Sequence, residues 1–309
     1  MNLLWLQGLT CSGNTQSFLC AENPSADEVL GMFEVLFCPF SSWEVDMEEV
    51  ILKLLRRREE LNVLILEGAV GGSDHRVCKR SFAEVVRELS RRADYVIALG
   101  NCAVFGNIPA KYDQEVKGLQ YRFKQMGGVL GRDFRSRSGL PVINLSGCPA
   151  HPSWLSYVLL QILSQRKIEL DELGRPKELY AYLTHHGCIR NEYFEWKVEA
   201  EELGKKEGCL FYYFGCKGPM THSSCNRILW NGLSSKTRVG MPCVGCTEYD
   251  FPREGMLETR HLMGIPDELP LGVSKRGYIL ISGIAKTFAP ERLKKRLMDE
   301  DSKETAQQD

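Results

Sequence analysis

Between residues 184 and 255 the chain runs through glycines, aromatic side chains and short turns with little apolar periodicity. His185, Cys188, Cys209, Cys216, Cys225, Cys243 and Cys246 are threaded through that stretch. Such a segment would struggle to hold a fold by apolar burial alone, and bound metal would supply the missing constraint. Two intervening residues let both members of a pair reach one metal centre, so His185/Cys188 and Cys243/Cys246 are natural chelating pairs. The chain of 309 residues carries twelve cysteines in all. In a small secreted protein an even count suggests disulfides. This chain is not small, and Met1 to Gln7 shows neither a basic region nor a twin arginine, so a soluble cytoplasmic protein is expected, docked to a membrane if at all through a partner.

The first half reads differently. Apolar runs over residues 2–8, 34–38, 62–70, 95–100 and 141–147 suggest strands, and residues 46–60, 82–92 and 152–164 suggest helices between them. That alternation predicts an α/β fold with a doubly wound parallel sheet, in which function collects at the carboxyl ends of the strands. Cys11, Cys102 and Cys148 each fall within a few residues after an expected strand end, which places three thiols on one sheet edge. Composition turns polar over residues 166–178, marking a linker. The expected division is a sheet domain over 1–170, a loop-rich metal domain over 171–298 and a disordered tail over 299–309. No apolar run approaches the roughly 18 residues of a membrane span. A formal net charge of −1 offers no attraction to nucleic acid.

Thiolate-rich donor sets select zinc or iron–sulfur clusters. Structural zinc wants closed groups of four ligands. Cys11, Cys102, Cys148, His185, Cys188, Cys209, Cys216, Cys225, Cys243 and Cys246 make ten candidates, which divide as three, four and three more naturally than into tetrads. A zinc-stabilised scaffold stands as the alternative from another class. Nucleotide chemistry is disfavoured: no Gly-x-Gly-x-x-Gly follows the first strand, and Gly71-Gly72-Ser73 lacks the spacing and lysine of a phosphate loop.

The ordered motifs resemble those of a known family. Trp5-Leu6-Gln7-Gly8 leads to Cys11, and Leu66-Glu67-Gly68-Ala69, Gly100-Asn101-Cys102-Ala103 and Gly147-Cys148-Pro149-Ala150-His151-Pro152 follow. The His185/Cys188 pair, Gly215-Cys216-Lys217-Gly218-Pro219 and Pro242-Cys243-Val244-Gly245-Cys246-Thr247-Glu248 complete the set. Over roughly residues 3–255 the chain resembles the small, electron-transferring subunit of nickel–iron hydrogenases, in particular cytoplasmic uptake-type members. The resemblance implies a flavodoxin-like domain followed by a cluster-binding domain, and a large partner subunit holding the nickel–iron centre. It further implies heterodimers that pair again, and an acceptor that is a protein or a quinone-linked carrier. Carried over by position, Cys11, Cys102 and Cys148 resemble proximal-cluster ligands, [4Fe-4S] or [3Fe-4S]. His185, Cys188, Cys209 and Cys216 resemble the ligands of a distal [4Fe-4S] cluster, and Cys225, Cys243 and Cys246 those of a medial [3Fe-4S] cluster. The equivalent subunits of cofactor-reducing hydrogenases and respiratory complexes usually lack this second-half set.

One departure matters. The common pattern has a second cysteine three residues after the first, and this chain has Asn14 there. Asp74 and Cys78 are the candidates for a fourth proximal ligand. Cys20 and Cys38 are expected as core thiols, His186 as a neighbour of the ligand His185, and His151 and His222 as polar or surface residues. Glu67, at a strand end among glycines, is expected either to cap the strand or to shape the proximal site.

Overall fold

The computed structural model describes residues 1–40, 45–72, 74–290 and Leu293; Ser73 and the tail expected over 299–309 lie outside the described residues. In the first part the strands and helices run β1 (Asn2–Gln7), α1 (Gly13–Leu19), α2 (Ala26–Leu30), β2 (Glu34–Phe37), α3 (Met47–Leu55) and β3 (Val63–Glu67). A small hairpin of β4 (Arg76–Val77) and β5 (Arg80–Ser81) leads into α4 (Phe82–Arg92) and β6 (Tyr95–Leu99). Next come α5 (Gly100–Phe105), α6 (Asn107–Tyr112), the hairpin β7 (Tyr121–Arg122) and β8 (Gln125–Met126), β9 (Ile143–Leu145), α7 (Pro152–Leu163) and α8 (Lys177–Tyr180).

The main sheet has the order β2-β1-β3-β6-β9 with every pair parallel, the doubly wound arrangement that the alternating pattern predicts. Both of its faces are buried, which is why its strands are continuous apolar runs. On one face Leu4, Leu6 and Leu64 pack with Val50, Ile51 and Leu54 of α3 and with Val85, Val86 and Leu89 of α4. On the other face the fully buried Trp5 lies 5.7 Å from Phe18 of α1, ring centre to ring centre. Helix α4 starts with a reciprocal capping box, Ser81 accepting from the Glu84 amide and Glu84 from the Ser81 amide, and ends on Arg91 and Arg92.

Two of the boundaries that differ from expectation do so for evident local reasons. Helix α3 stops at Leu55, short of residue 60, because Arg57 takes a left-handed conformation with φ of 56°. Strand β3 stops at Glu67, because Gly68 turns the chain with φ of 91° and Ala69 pairs back onto Leu9. One side chain differs as well. Cys38 is a core thiol as expected, whereas Cys20 is exposed at the end of α1. His151 is buried, and its ring lies 5.6 and 5.4 Å from those of Trp154 and Trp230 while it accepts from the Ser153 amide.

The chain divides into two compact units. The first comprises Met1–Tyr182 with Trp230–Leu233 and Cys246–Pro252, and the second comprises Leu183–Leu229, Ser234–Gly245 and the chain from Arg253 onward. The second unit carries α9 (Asn191–Glu195), the short hairpin of β10 (His261–Leu262) and β11 (Ile265–Pro266), and α10 (Lys275–Phe288). One of its apolar clusters contains Ala200, Cys209, Leu210, Phe211, Cys216, Cys243 and Tyr278, so thiols form part of its core. Among the described residues no helix is long and apolar enough to cross a membrane.

Leu64 lies on the central strand with no exposed surface. Its replacement by Ala is expected to cost about 2–5 kcal/mol and to lower the thermal unfolding midpoint of the first unit. An unchanged midpoint would show that this face is not the core.

Candidate metal centres

Gln7, Glu67, Leu99 and Leu145 stand side by side in the sheet register at the carboxyl ends of β1, β3, β6 and β9. The loops carrying Cys11, Cys102 and Cys148 therefore leave from one edge. Asn101 fastens two of them: its amide donates to the Gly147 carbonyl at 2.9 Å, and its Oδ1 accepts from the Gly147 amide at 2.8 Å. Its Nδ2 donates onward to the carbonyls of Cys246 at 2.7 Å and Glu248 at 3.3 Å. The Cys102 thiol is pushed up to about 12, first by burial and then by Cys148, Cys11 and Glu67. Cys11 is exposed and Cys102 and Cys148 are half-buried; thiols that oppose one another's ionisation form a donor set suited to a cationic metal group, whose charge removes the opposition.

Glu67 has no exposed surface and is surrounded by donors. Gln7 Nε2 donates at 3.1 Å, Thr10 Oγ1 at 3.2 Å, and the amides of Asn14 and Thr15 at 3.0 and 3.3 Å. Asn14 Nδ2 adds a bond at 3.4 Å and Thr15 Oγ1 adds a short one. Strand cap and site-shaping group were both open to this carboxylate on sequence grounds; it accepts the first amides of α1 and also bears on Cys102. Asp74 is exposed. Cys78 is half-buried, with its amide on Glu48 Oε1 at 3.0 Å and its thiol on the Glu48 carbonyl at 3.5 Å. Burial raises that thiol, and Glu48 and Asp46 raise it further.

In the second unit His185, Cys188, Cys209 and Cys216 line one cavity of about 330 Å³, counting the space open to solvent, together with Phe211 and Gly218. Burial brings His185 down to about 4, with His186 and Lys197 adding to the effect, so its imidazole is neutral and has a lone pair to offer. Its ring meets Phe194 edge-on at 4.4 Å, while the adjacent His186 is exposed. Burial pushes Cys216 up to about 12, with Cys243 adding to it, and raises Cys209 well above the usual range. The turn into Cys209 demands glycine: Gly208 has φ of 75°, and a Cβ there would fall 2.4 Å from Ala200 Cα. Cys225 accepts at 2.8 Å from Ser223 Oγ. Cys225 and Cys243 belong to the second unit, and Cys246 to the segment grouped with the first. Among the described residues no three His, Cys, Asp or Glu side chains converge to hold a single metal ion.

Sequence spacing did not single out Arg190. It is 2% exposed, and its guanidinium donates to the carbonyls of Thr237 at 2.7 Å, Glu207 at 3.0 Å and Gly208 at 2.7 Å, and also to that of Lys205. Its amide donates to Cys188 Sγ at 3.4 Å. One side chain thus pins the loop that enters Cys209 beside the turn that holds Cys188. Only its place two residues after Cys188 hints at this, because the carbonyls it serves lie 15 to 47 positions away.

Residues 180–258 match the family model for the C-terminal part of the NiFe/NiFeSe hydrogenase small subunit, and residues 11–162 match the model for the 20 Kd subunit of NADH ubiquinone oxidoreductase. The chain is 31% identical to the F420 non-reducing hydrogenase II small subunit of Methanosarcina mazei, over 81% of this chain and 73% of that protein. It is 27% identical to the periplasmic [NiFe] hydrogenase small subunit of Solidesulfovibrio fructosivorans, over 81% and 78% respectively. Among solved structures, the actinobacterial-type NiFe-hydrogenase from Ralstonia eutropha H16 superposes with a TM-score of 0.73 at 27% identity, covering 98% of this chain and 90% of that one. These matches place the chain among electron-transfer proteins of the iron–sulfur class. The chain belongs to the small subunits of nickel–iron hydrogenases. One of the relatives above is named periplasmic, so the cytoplasmic location expected from the sequence draws no support from it.

Two outcomes test this geometry. Glu67→Gln removes a buried negative charge beside the Cys102 edge, so the potential of a cluster held there is expected to rise by on the order of tens of millivolts in a redox titration; an unmoved potential would separate Glu67 from the site. Arg190→Met leaves carbonyls without donors and is expected to cost about 3 kcal/mol, with iron lost from the second unit on mild heating before it is lost from the first. Retention of all the iron would refute that role.

Proposed function

We propose that this chain carries electrons for a nickel–iron hydrogenase, paired with a large subunit that holds the nickel–iron centre. The observation that carries the reading is the register of β1, β3, β6 and β9, which sends Cys11, Cys102 and Cys148 off one sheet edge although they are far apart in sequence. We assign Cys11, Cys102 and Cys148 to the proximal cluster, Cys225, Cys243 and Cys246 to the medial [3Fe-4S] cluster, and His185, Cys188, Cys209 and Cys216 to the distal [4Fe-4S] cluster. The fourth proximal corner stays open between a three-ligand [3Fe-4S] cluster, the exposed Asp74, and Cys78, whose thiol donates to the Glu48 carbonyl at 3.5 Å. When bound, the clusters supply one-electron carriers between the partner's centre and an external acceptor.

The chain's own residues do the positioning. Asn101 and Glu67 hold the loops of the proximal set, and Arg190 holds those of the distal set. Burial of His185 keeps a neutral ligand among anionic thiolates, which lowers the net negative charge of that site. Leu9, Ile108 and Tyr112, the last 88% exposed, lie in the segments that follow β1 and β6. Exposed apolar side chains on the Cys11 and Cys102 segments fit a large partner subunit better than a free carrier. The proposal retains the cytoplasmic location, which cell fractionation tests.

Anaerobic purification through a tag on this chain is expected to bring down a partner containing nickel. The complex is expected to hold iron well in excess of nickel and to reduce dye at the expense of hydrogen. Zinc without iron or hydrogen-dependent activity would overturn the reading.

A further inference from the structure

We infer that Asn14 is a positioning residue of the Cys11–Cys102–Cys148 site, tying its three loops together from the place where the common family pattern has a fourth thiolate. The inference rests on the ligand set proposed above. Both ends of the Asn14 amide are committed inside the protein, and the residue is buried. Oδ1 accepts from the Ala150 amide at 2.8 Å, two residues beyond Cys148. Nδ2 donates to Glu67 Oε1 at 3.4 Å, and the Asn14 backbone amide donates to the same oxygen at 3.0 Å. The third loop is met at Gly100, two residues before Cys102. A Cβ on Gly100 would fall 2.2 Å from Asn14 Nδ2, so the amide occupies the space that a side chain there would fill. Asn14 itself lies three residues after Cys11. One side chain therefore meets the approach to each of the three thiols and also the Glu67 carboxylate. Ser17 Oγ adds a second tie from α1, donating to the Ala150 carbonyl at 2.6 Å.

The chemistry of the exchange is specific. A cysteine in this place would add a thiolate to the site; asparagine adds no charge and presents a donor to Glu67 and an acceptor to Ala150. The carboxylate is thereby held at a fixed distance from the thiols, and fixed charge near a cluster sets its potential. A side chain that merely filled space would place no such condition on charge.

The test uses the anaerobically purified heterodimer, with nickel and iron content measured and each cluster followed by electron paramagnetic resonance through a redox titration. Asn14→Asp keeps the shape and the acceptor for Ala150, but it sets a carboxylate against Glu67. At the wild-type midpoint the ratio of reduced to oxidised proximal cluster is expected to fall at least tenfold, about 59 mV for one electron, with the other clusters unmoved. Asn14→Ala releases both ties, and a broadened proximal signal is expected at full iron content. An unshifted midpoint in Asn14→Asp with an unchanged line shape in Asn14→Ala would reduce Asn14 to filler. Equal shifts in all clusters, or loss of the heterodimer in both variants, would also overturn the inference, because the residue would then hold the fold and not the site. Cys102→Ala separates this from the underlying reading. If the proximal signal survives that change, the ligand assignment itself falls; if it disappears, a negative result at Asn14 counts against Asn14 alone.

Discussion

A carboxylate with no exposed surface must have its lone pairs satisfied by donors, or it costs the fold on the order of several kcal/mol. Glu67 meets that condition at the end of the central strand, and the way it does so organises the cysteine edge. Its donors come from the last residue of β1, from Thr10 in the loop before Cys11, and from the first turn of α1. Helix α1 has no side-chain cap of its own, since Ser12 sits in a left-handed conformation. The strand that ends in Glu67 supplies the missing acceptor. Strand register, helix start and thiol placement are in this sense one arrangement.

The second unit works under a different constraint. With Cys209, Cys216 and Cys243 inside one of its apolar clusters, its core is made in part from the groups proposed to hold metal. Folding and cofactor loading are then linked: thiols raised this far by burial are protonated until a metal group replaces the protons, and binding free energy contributes to folding. Arg190 supplies order that does not depend on metal, because a guanidinium directed at four carbonyls fixes loops that have no regular structure of their own.

Much of the first unit is legible in the chain. The apolar runs of β1, β3 and β6 and the amphipathic, capped sequence of α4 carry their own period and end signals, and the bounds of α4 match expectation residue for residue. Helix α1 is hidden because Gly13-Asn14-Thr15-Gln16-Ser17-Phe18-Leu19 has weak local preference and starts on a distant carboxylate. Helix α10 is hidden although Leu280, Ile281, Ile284 and Phe288 follow a helical spacing, because Gly277 and Gly283 lower its local helix preference. At the sites, cysteine spacing and strand ends are legible because they are local. The ties made by Glu67, Asn14 and Arg190 are not, because each depends on partners between roughly fifteen and more than a hundred residues away.

The central claim is that loops distant in sequence are brought together to hold separate iron–sulfur clusters in one chain. Its most direct test is a count of clusters in the anaerobically isolated complex, by Mössbauer spectroscopy of iron-57-enriched protein together with paramagnetic resonance through a redox titration. The account predicts three distinguishable clusters per nickel, one of them with a histidine-nitrogen coupling. A single cluster, or iron bound only as isolated ions, would contradict it.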